Sequence, residues 1–402
     1  MKLWRNQSKA RVYADAAAAT PLSESAKSEL TRLLSLFGNA GSLHQEGMQA
    51  KKELDHARGR VASVLGAHAD EIIFTASGTE ANNLALQGML RPLLQKQGEC
   101  GAITSKIEHA SILEPLRALE REGLYATELE VDTEGFVEAN VLKEAISDET
   151  ALVSIQFVNS EVGTIERIKE IAKIVRAVRK ERKEKNISLP LLFHTDAAQA
   201  PLWLSLKVDS LGVDLLSLDA QKIMGPKGVG ALYVRRATPL EPILWGGMQE
   251  RGFRAGTENV PLIGAFAVAL DEAQKGVEER AEKIGKVRDN LIAELQKTFP
   301  DSVFHGPRGN ERVANNVNVS IPGLTGEMGV IALNVEGVAA STRSACDTGE
   351  EGPSHVLEAL HVSQKTALEA IRFTFLPSAT TRDVKTIIEA LKRVANIHRN
   401  VL

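Results

Sequence analysis

The chain has 402 residues, 43% of them hydrophobic and 25% charged, an ordinary balance for a soluble globular protein and a length too great for one small core. A formal net charge of -4 gives no electrostatic case for nucleic acid or acidic membranes, and no segment is long and apolar enough to span a bilayer. Two cysteines, Cys100 and Cys346, exclude a disulfide framework or a zinc cluster and fit a reducing compartment; the start, MKLWRNQSKARVYADAAAA, lacks the apolar stretch of a signal peptide, so a cytoplasmic protein is expected.

In chain order, strand-like runs are predicted at 71–76 (EIIFTA), 101–104 (GAIT), 151–158 (ALVSIQFV), 189–196 (LPLLFHTD), 213–218 (VDLLSL) and 231–236 (ALYVRR). Helical patterns start at Thr79, Ala110 and Ile168 and alternate with them. The strand runs are almost continuously apolar, as expected when both faces of a sheet are covered, so the pattern predicts a doubly wound α/β domain. After Val260 the pattern changes to one long charged helix over about 262–298, short runs such as NNVNVSI, and a terminal helix from Thr381. A second, smaller α+β domain is expected there: residues 16–261 form the large domain, and 1–15 with 262–402 the small one. The run VRKERKEK at 178–185 mixes both signs and reads as a solvated helix end, not a nucleic-acid patch.

In such sheets ligands sit beyond the carboxyl ends of the strands, where this chain collects its polar residues. Lys222 follows an apolar run and precedes the loop GPKGVG. It is either a solvated loop lysine or a lysine held in a pocket to form an imine. Asp196 closes LPLLFHTD, with Gln199 three residues on; it caps a turn or holds a protonated ring nitrogen. Together, Lys222 and Asp196 point to pyridoxal 5'-phosphate, which needs a Schiff-base lysine, an acidic partner for its pyridinium and a phosphate cup. TASGTEANN at 75–83 suggests the cup, with Gly78 and Thr79 at a helix N-terminus; Thr79 and Asn82 read equally as a cap and a surface residue. GPKGVG lacks the Gly-Lys-Ser/Thr of a Walker motif and is given a turn role. His109, in SKIEHAS, follows a strand, where it is structural or stacks on a cofactor ring and moves protons. Cys346 lies in VAASTRSACDTGEEGPSHVLEAL, with Arg343 nearby and a helix expected from near Pro353; a buried inert thiol and an exposed, readily ionised one both fit. Cys100, entering a strand, reads as structural. Arg372, inside the apolar run EAIRFTF, wants a carboxylate from the protein or from a substrate. No metal site is expected.

The set EIIFTASGTEANNLA, TSKIEHASIL, HTDAAQ, KIMGPKGVGALYVRR, RAGTEN and STRSACDTG, in this order, resembles the cysteine desulfurases, fold type I pyridoxal-phosphate enzymes of the class V aminotransferase group. The resemblance runs from YADAAAATP to AIRFTF. It implies Lys222 as the lysine that carries the cofactor, Asp196 against the pyridinium nitrogen, and Gln199 near the ring hydroxyl. It implies His109 on the ring, and Gly78 and Thr79 at the phosphate. Thr257 of RAGTEN would reach the phosphate of the other subunit, which implies a homodimer. Cys346 becomes the persulfide-forming nucleophile and Arg372 the binder of substrate carboxylate. L-cysteine is then the substrate, alanine the product, and a sulfur-acceptor or scaffold protein the partner.

Three departures stand out. The family's Ser-Gly-His-Lys is Asp219-Ala220-Gln221-Lys222, which sets a carboxylate where a phosphate would sit, a repulsion of about 1 kcal/mol or more depending on burial. Either Asp219 turns away or phosphate binding leans on Gln221, Thr79 and Thr257. The family's Asn-Asn-Glu-x-Gly is Asn159-Ser160-Glu161-Val162-Gly163, so the ring-hydroxyl contact falls to the shorter Ser160. The N-terminal Asp-Asn-Asn-Ala-Thr is Asp15-Ala16-Ala17-Ala18-Ala19. Besides an active desulfurase, the sequence leaves open a related lyase or aminotransferase on another amino acid, and a weakly active or non-catalytic homologue that serves as a binding partner.

Overall fold

A computed structural model describes residues 11–342 and 352–399. Among these residues twelve strands follow in chain order: β1 (Val12–Tyr13), β2 (Ile72–Thr75), β3 (Cys100–Ser105), β4 (Leu124–Leu129), β5 (Thr150–Ser154), β6 (Leu192–Asp196), β7 (Leu215–Asp219), β8 (Gly230–Val234), β9 (Val303–His305), β10 (Asn316–Ser320), β11 (Val338–Ala339) and β12 (Ala370–Thr374). Seven form one sheet in the order β2-β8-β7-β6-β5-β3-β4. β4, β3, β5, β6 and β7 run parallel, while β8 is antiparallel to both β7 and β2. This is a fold type I α/β arrangement. β3, β5, β7 and β8 are buried at every residue, because helices cover both faces of the sheet. β4 lies at the edge and alternates buried and open positions, with Tyr125 60% exposed, which is why its run reads weakly as a strand.

A three-stranded antiparallel sheet, β12-β10-β9, and the short parallel pair β1-β11 make up the rest. β12 places Arg372 opposite Asn318 of β10. The expected single helix over 262–298 is two helices, Val260–Gln274 and Val277–Thr298. Gly276 sits between them at φ +60°, a left-handed conformation that a helix interior does not hold and glycine adopts at little cost. The helix expected from near Pro353 covers His355–Ala359, after Ser354, whose hydroxyl accepts from Val356 N and Leu357 N as an N-cap. Among the described residues no helix is long and apolar enough to cross a membrane.

Candidate active site

The parallel strands end on one rim. β3 leads to His109, β5 to Ser160, β6 to Asp196 and β7 to Asp219 and Lys222. Ala17, Ala18, Gly78, Thr79, Arg372 and Gln199 close the same pocket, about 630 Å³ of space including its mouth. Eight of the expected site residues therefore share one cavity with Asp219: Lys222, His109, Gly78, Thr79, Ser160, Asp196, Gln199 and Arg372. Gln221 binds Asp219 from beside the cavity. Thr257 does not line the pocket of its own chain; it is exposed in the segment before the helix Val260–Gln274. Cys346 lies outside the described residues.

Lys222 is placed by the N-terminal segment. Its Nζ donates to the carbonyls of Ala17 and Ala18, each at 2.7 Å, and Gln199 Nε2 donates to the Ala17 carbonyl at 2.9 Å. Thr20 stitches this segment to the lysine turn: its hydroxyl donates to Gln221 O at 2.8 Å and accepts from Met224 N at 2.7 Å. Met224 takes φ +62°, a conformation costly for a side chain with a Cβ and held here by these bonds. The alanines at 16–19 thus act through their backbone. Ala17 N also donates to the hydroxyl of Thr374, two residues beyond Arg372, so the first and last strands of the site are joined.

Asp196 has the first of its two expected uses, the cap, and keeps room for the second. Oδ1 accepts from Ala198 N at 2.9 Å and caps the turn, and Oδ2 accepts from Asn82 Nδ2 at 2.8 Å. Each carboxylate oxygen has two lone pairs, so capacity remains for a ring N–H. Asn82, for which the sequence left a surface place open beside a place in the cup, is buried and also donates to Ser111 Oγ at 2.8 Å. Its own Oδ1 is buried without a partner. Thr79 is not the cap of its helix. Ser77 is, accepting from Glu80 N, because Thr79 already lies inside the helix Gly78–Gln97. His109 caps the helix Ala110–Glu120. Its Nδ1 accepts from Ser111 N at 3.1 Å, which leaves the proton of a neutral ring on Nε2.

Glu108, next to His109, is fully buried, and burial holds its carboxyl well above the usual range. It accepts from Ser105 Oγ at 2.8 Å and Gln156 N at 2.9 Å and ties two strand ends together. Cys100 is buried, its thiol pushed up to about 11 by burial, which disfavours the thiolate.

Arg372 is 1% exposed. Nη2 donates to Asp15 Oδ1 at 3.0 Å, Nη1 to Ser160 O at 3.3 Å, and Nε is buried without a partner. A guanidinium with donors left over can take a second carboxylate. Ser341 N donates to Arg372 O at 3.1 Å, and Ser354 Oγ donates to Glu161 Oε2 at 2.5 Å. The residues flanking 343–351 are therefore tied to the pocket wall on both sides.

These groups fit pyridoxal phosphate at its ring end: an amine, an acid with lone pairs to spare, a histidine and an amide surround one space. At the phosphate end the helix N-terminus is present, and Gly78 leaves room where a Cβ would meet Asp219 Cβ at 3.0 Å.

A family model described as Aminotransferase class-V matches residues 12–387. A protein of Dictyoglomus turgidum named Cysteine desulfurase IscS is 41% identical over 394 residues, 98% of this chain and 96% of that one. One of the same name from Methanosarcina thermophila is 39% identical, covering 97% of this chain and 93% of the other. A solved structure described as a NifS-like protein superposes with a TM-score of 0.87 at 30% identity, over 96% of this chain and 100% of its own. Another, SspA in complex with cysteine, gives 0.76 at 31% over 92% and 100%. Enzymes of this family depend on pyridoxal phosphate. By both the family match and the identities, the chain belongs to the class-V aminotransferases and, among them, to the cysteine desulfurases.

Proposed function

We propose that this protein is a cysteine desulfurase that turns L-cysteine into L-alanine and passes the sulfur to an acceptor protein. The observation that carries this reading is the convergence of Lys222, Asp196, His109, Gln199 and Arg372 on one cavity, with Lys222 Nζ fixed by two carbonyls. Pyridoxal phosphate, when bound, withdraws electrons from the substrate's α-carbon. Lys222 would hold the cofactor by its Nζ and then carry the proton to and from that carbon. Asp196, steadied by Asn82 and Ala198, keeps a proton on the ring nitrogen. His109 covers the ring and offers Nε2 for proton transfer. Gln199 and Ser160 stand at the ring hydroxyl, and Gly78, Thr79 and Gln221 at the phosphate. Arg372 orients the substrate by its carboxylate.

Cys346 is the proposed nucleophile. Its thiolate forms an S–S bond to the substrate sulfur as the Cβ–S bond breaks. The carbon takes a proton and leaves as alanine, so thiol plus cysteine gives persulfide plus alanine with no external oxidant. Support comes from the flanks of its segment, Ser341 bonded to Arg372 and Ser354 to Glu161 beside Ser160.

We infer a homodimer. Phe37, Leu43, Trp245 and Met248 are 85%, 93%, 76% and 80% exposed, an apolar surface that a partner copy would cover, and Thr257 of that copy would then reach the phosphate. A large unit around the seven-stranded sheet and a small one around β12-β10-β9 is the proposed division. The packing of the helix Val260–Gln274 on Glu24–Leu33 and Gln45–Leu65 favours a boundary after that helix. Location in the cytoplasm and service to iron–sulfur cluster assembly or thiolation complete the reading. In the test, Cys346→Ala should abolish sulfide release from L-cysteine while the bound cofactor keeps its visible absorption. Normal alanine and sulfide production by that variant would refute Cys346 as nucleophile.

A further inference from the structure

Asp219 ends β7 and is buried in the pocket, where its side chain lies against Gly78, the first residue of the helix Gly78–Gln97. A Cβ at Gly78 would be 3.0 Å from Asp219 Cβ and 3.3 Å from its Oδ2. Oδ1 accepts from Gln221 N and Oδ2 from Gln221 Nε2, both at 3.1 Å, so the donors that meet this carboxylate are neutral amides. A helix N-terminus carries unpaired N–H groups and a partial positive charge, and attracts one anion. Part of that helix end is already spent: Ser77 Oγ takes Glu80 N, and Glu80 takes Ala76 N and pairs with Arg254 at 2.8 Å. Asp219 stands beside what remains of this end, its Oδ2 within 3.3 Å of where a Cβ on Gly78 would lie.

We propose that Asp219 occupies the anion seat of this pocket, so that the site binds pyridoxal with or without its 5'-phosphate at similar affinity and does not gain the usual preference for the phosphorylated form. This rests on the reading of the pocket as a pyridoxal cofactor site. Like charges repel most where water is excluded, and a phosphate brought to the helix end must share it with this carboxylate. Asp196 is held by Asn82 and Ala198, and Lys222 and Gln199 by the carbonyls of Ala17 and Ala18, so the bonds that recognise the aldehyde end outlast loss of the Asp219 charge.

The test is equilibrium titration of the cofactor-free full-length protein with pyridoxal phosphate and with pyridoxal, followed by visible absorbance, for the wild type, Asp219→Asn and Asp219→Ser. The asparagine keeps an acceptor for Gln221 N, and pyridoxal binding reports whether each variant is folded. The expected result is a fall of tenfold or more in the dissociation constant for pyridoxal phosphate in both variants, with that for pyridoxal changed less than about twofold (tenfold being about 1.4 kcal/mol). Unchanged or weaker binding of pyridoxal phosphate in both variants overturns the role of Asp219. So does a wild type that prefers the phosphorylated form a hundredfold. A wild type that takes neither aldehyde refutes the cofactor site itself, and this inference with it.

Discussion

The two ends of the pocket solve opposite problems with the same group. At the ring end a carboxylate, Asp196, faces inward with donors on each oxygen and capacity for a cation. At the other end a carboxylate, Asp219, faces a helix N-terminus that suits an anion of the ligand. A buried carboxylate is an asset opposite a protonated nitrogen and a liability opposite a phosphate. The site should therefore depend steeply on Asp196 and be relieved by loss of the Asp219 charge.

Breaking the ring end should have the largest effect. Asp196→Ala removes the proposed partner of the ring nitrogen and one of the two acceptors of Asn82. Alanine formation should fall by about 10²-fold or more, in the range of a lost proton-holding group. A steady-state assay checks it, and a loss under threefold would move the ring nitrogen elsewhere.

Asn82→Ala sharpens the same end. It deletes one donor to Asp196 and one to Ser111. The loss of a bond to a charged group is worth about 1.5–3 kcal/mol, so turnover should drop roughly tenfold or more with the cofactor still bound. Equal activity in the variant would mean that Ala198 N alone fixes Asp196.

Glu166 supplies a control away from both ends. Burial pushes its carboxyl up to about 8 from 4.5, and its Oε1 has no partner. A raised folded-state value stabilises the protein below the unfolded value, and that stability is lost as pH rises from about 4.5 to about 8. Glu166→Gln cannot ionise, so its melting temperature should fall less than that of the wild type over this interval, with Glu108 leaving a residual slope of the same sign. Calorimetric scans across pH check it, and parallel curves would contradict the burial account. Cofactor affinity should not change.

Much of this was legible in the sequence because parallel strands deliver their last residues to one rim. Asp196, Lys222 and His109 each follow an apolar run, which set them on one rim, while their roles there came from the resemblance. Asn82 was not legible: a polar residue one turn into a helix reads as solvated, and only the neighbouring helix bearing Ser111 makes it interior. The break at Gly276 was hidden because charged residues continue on both sides and the glycine alone marks the turn. β4 was missed because an edge strand buries one face only. The alanines at 16–19 looked like lost polar groups, whereas their carbonyls hold Lys222 and Gln199, a use of backbone that side-chain identity does not report.

The central claim is that Lys222 holds an aldehyde cofactor facing L-cysteine. The most direct measurement is the visible absorption spectrum of the protein with pyridoxal phosphate, before and after L-cysteine, beside Lys222→Ala. The account predicts a protein-bound band in the wild type that changes when cysteine is added and is absent from the variant. A colourless wild type at saturating cofactor, or the same band in Lys222→Ala, would contradict it.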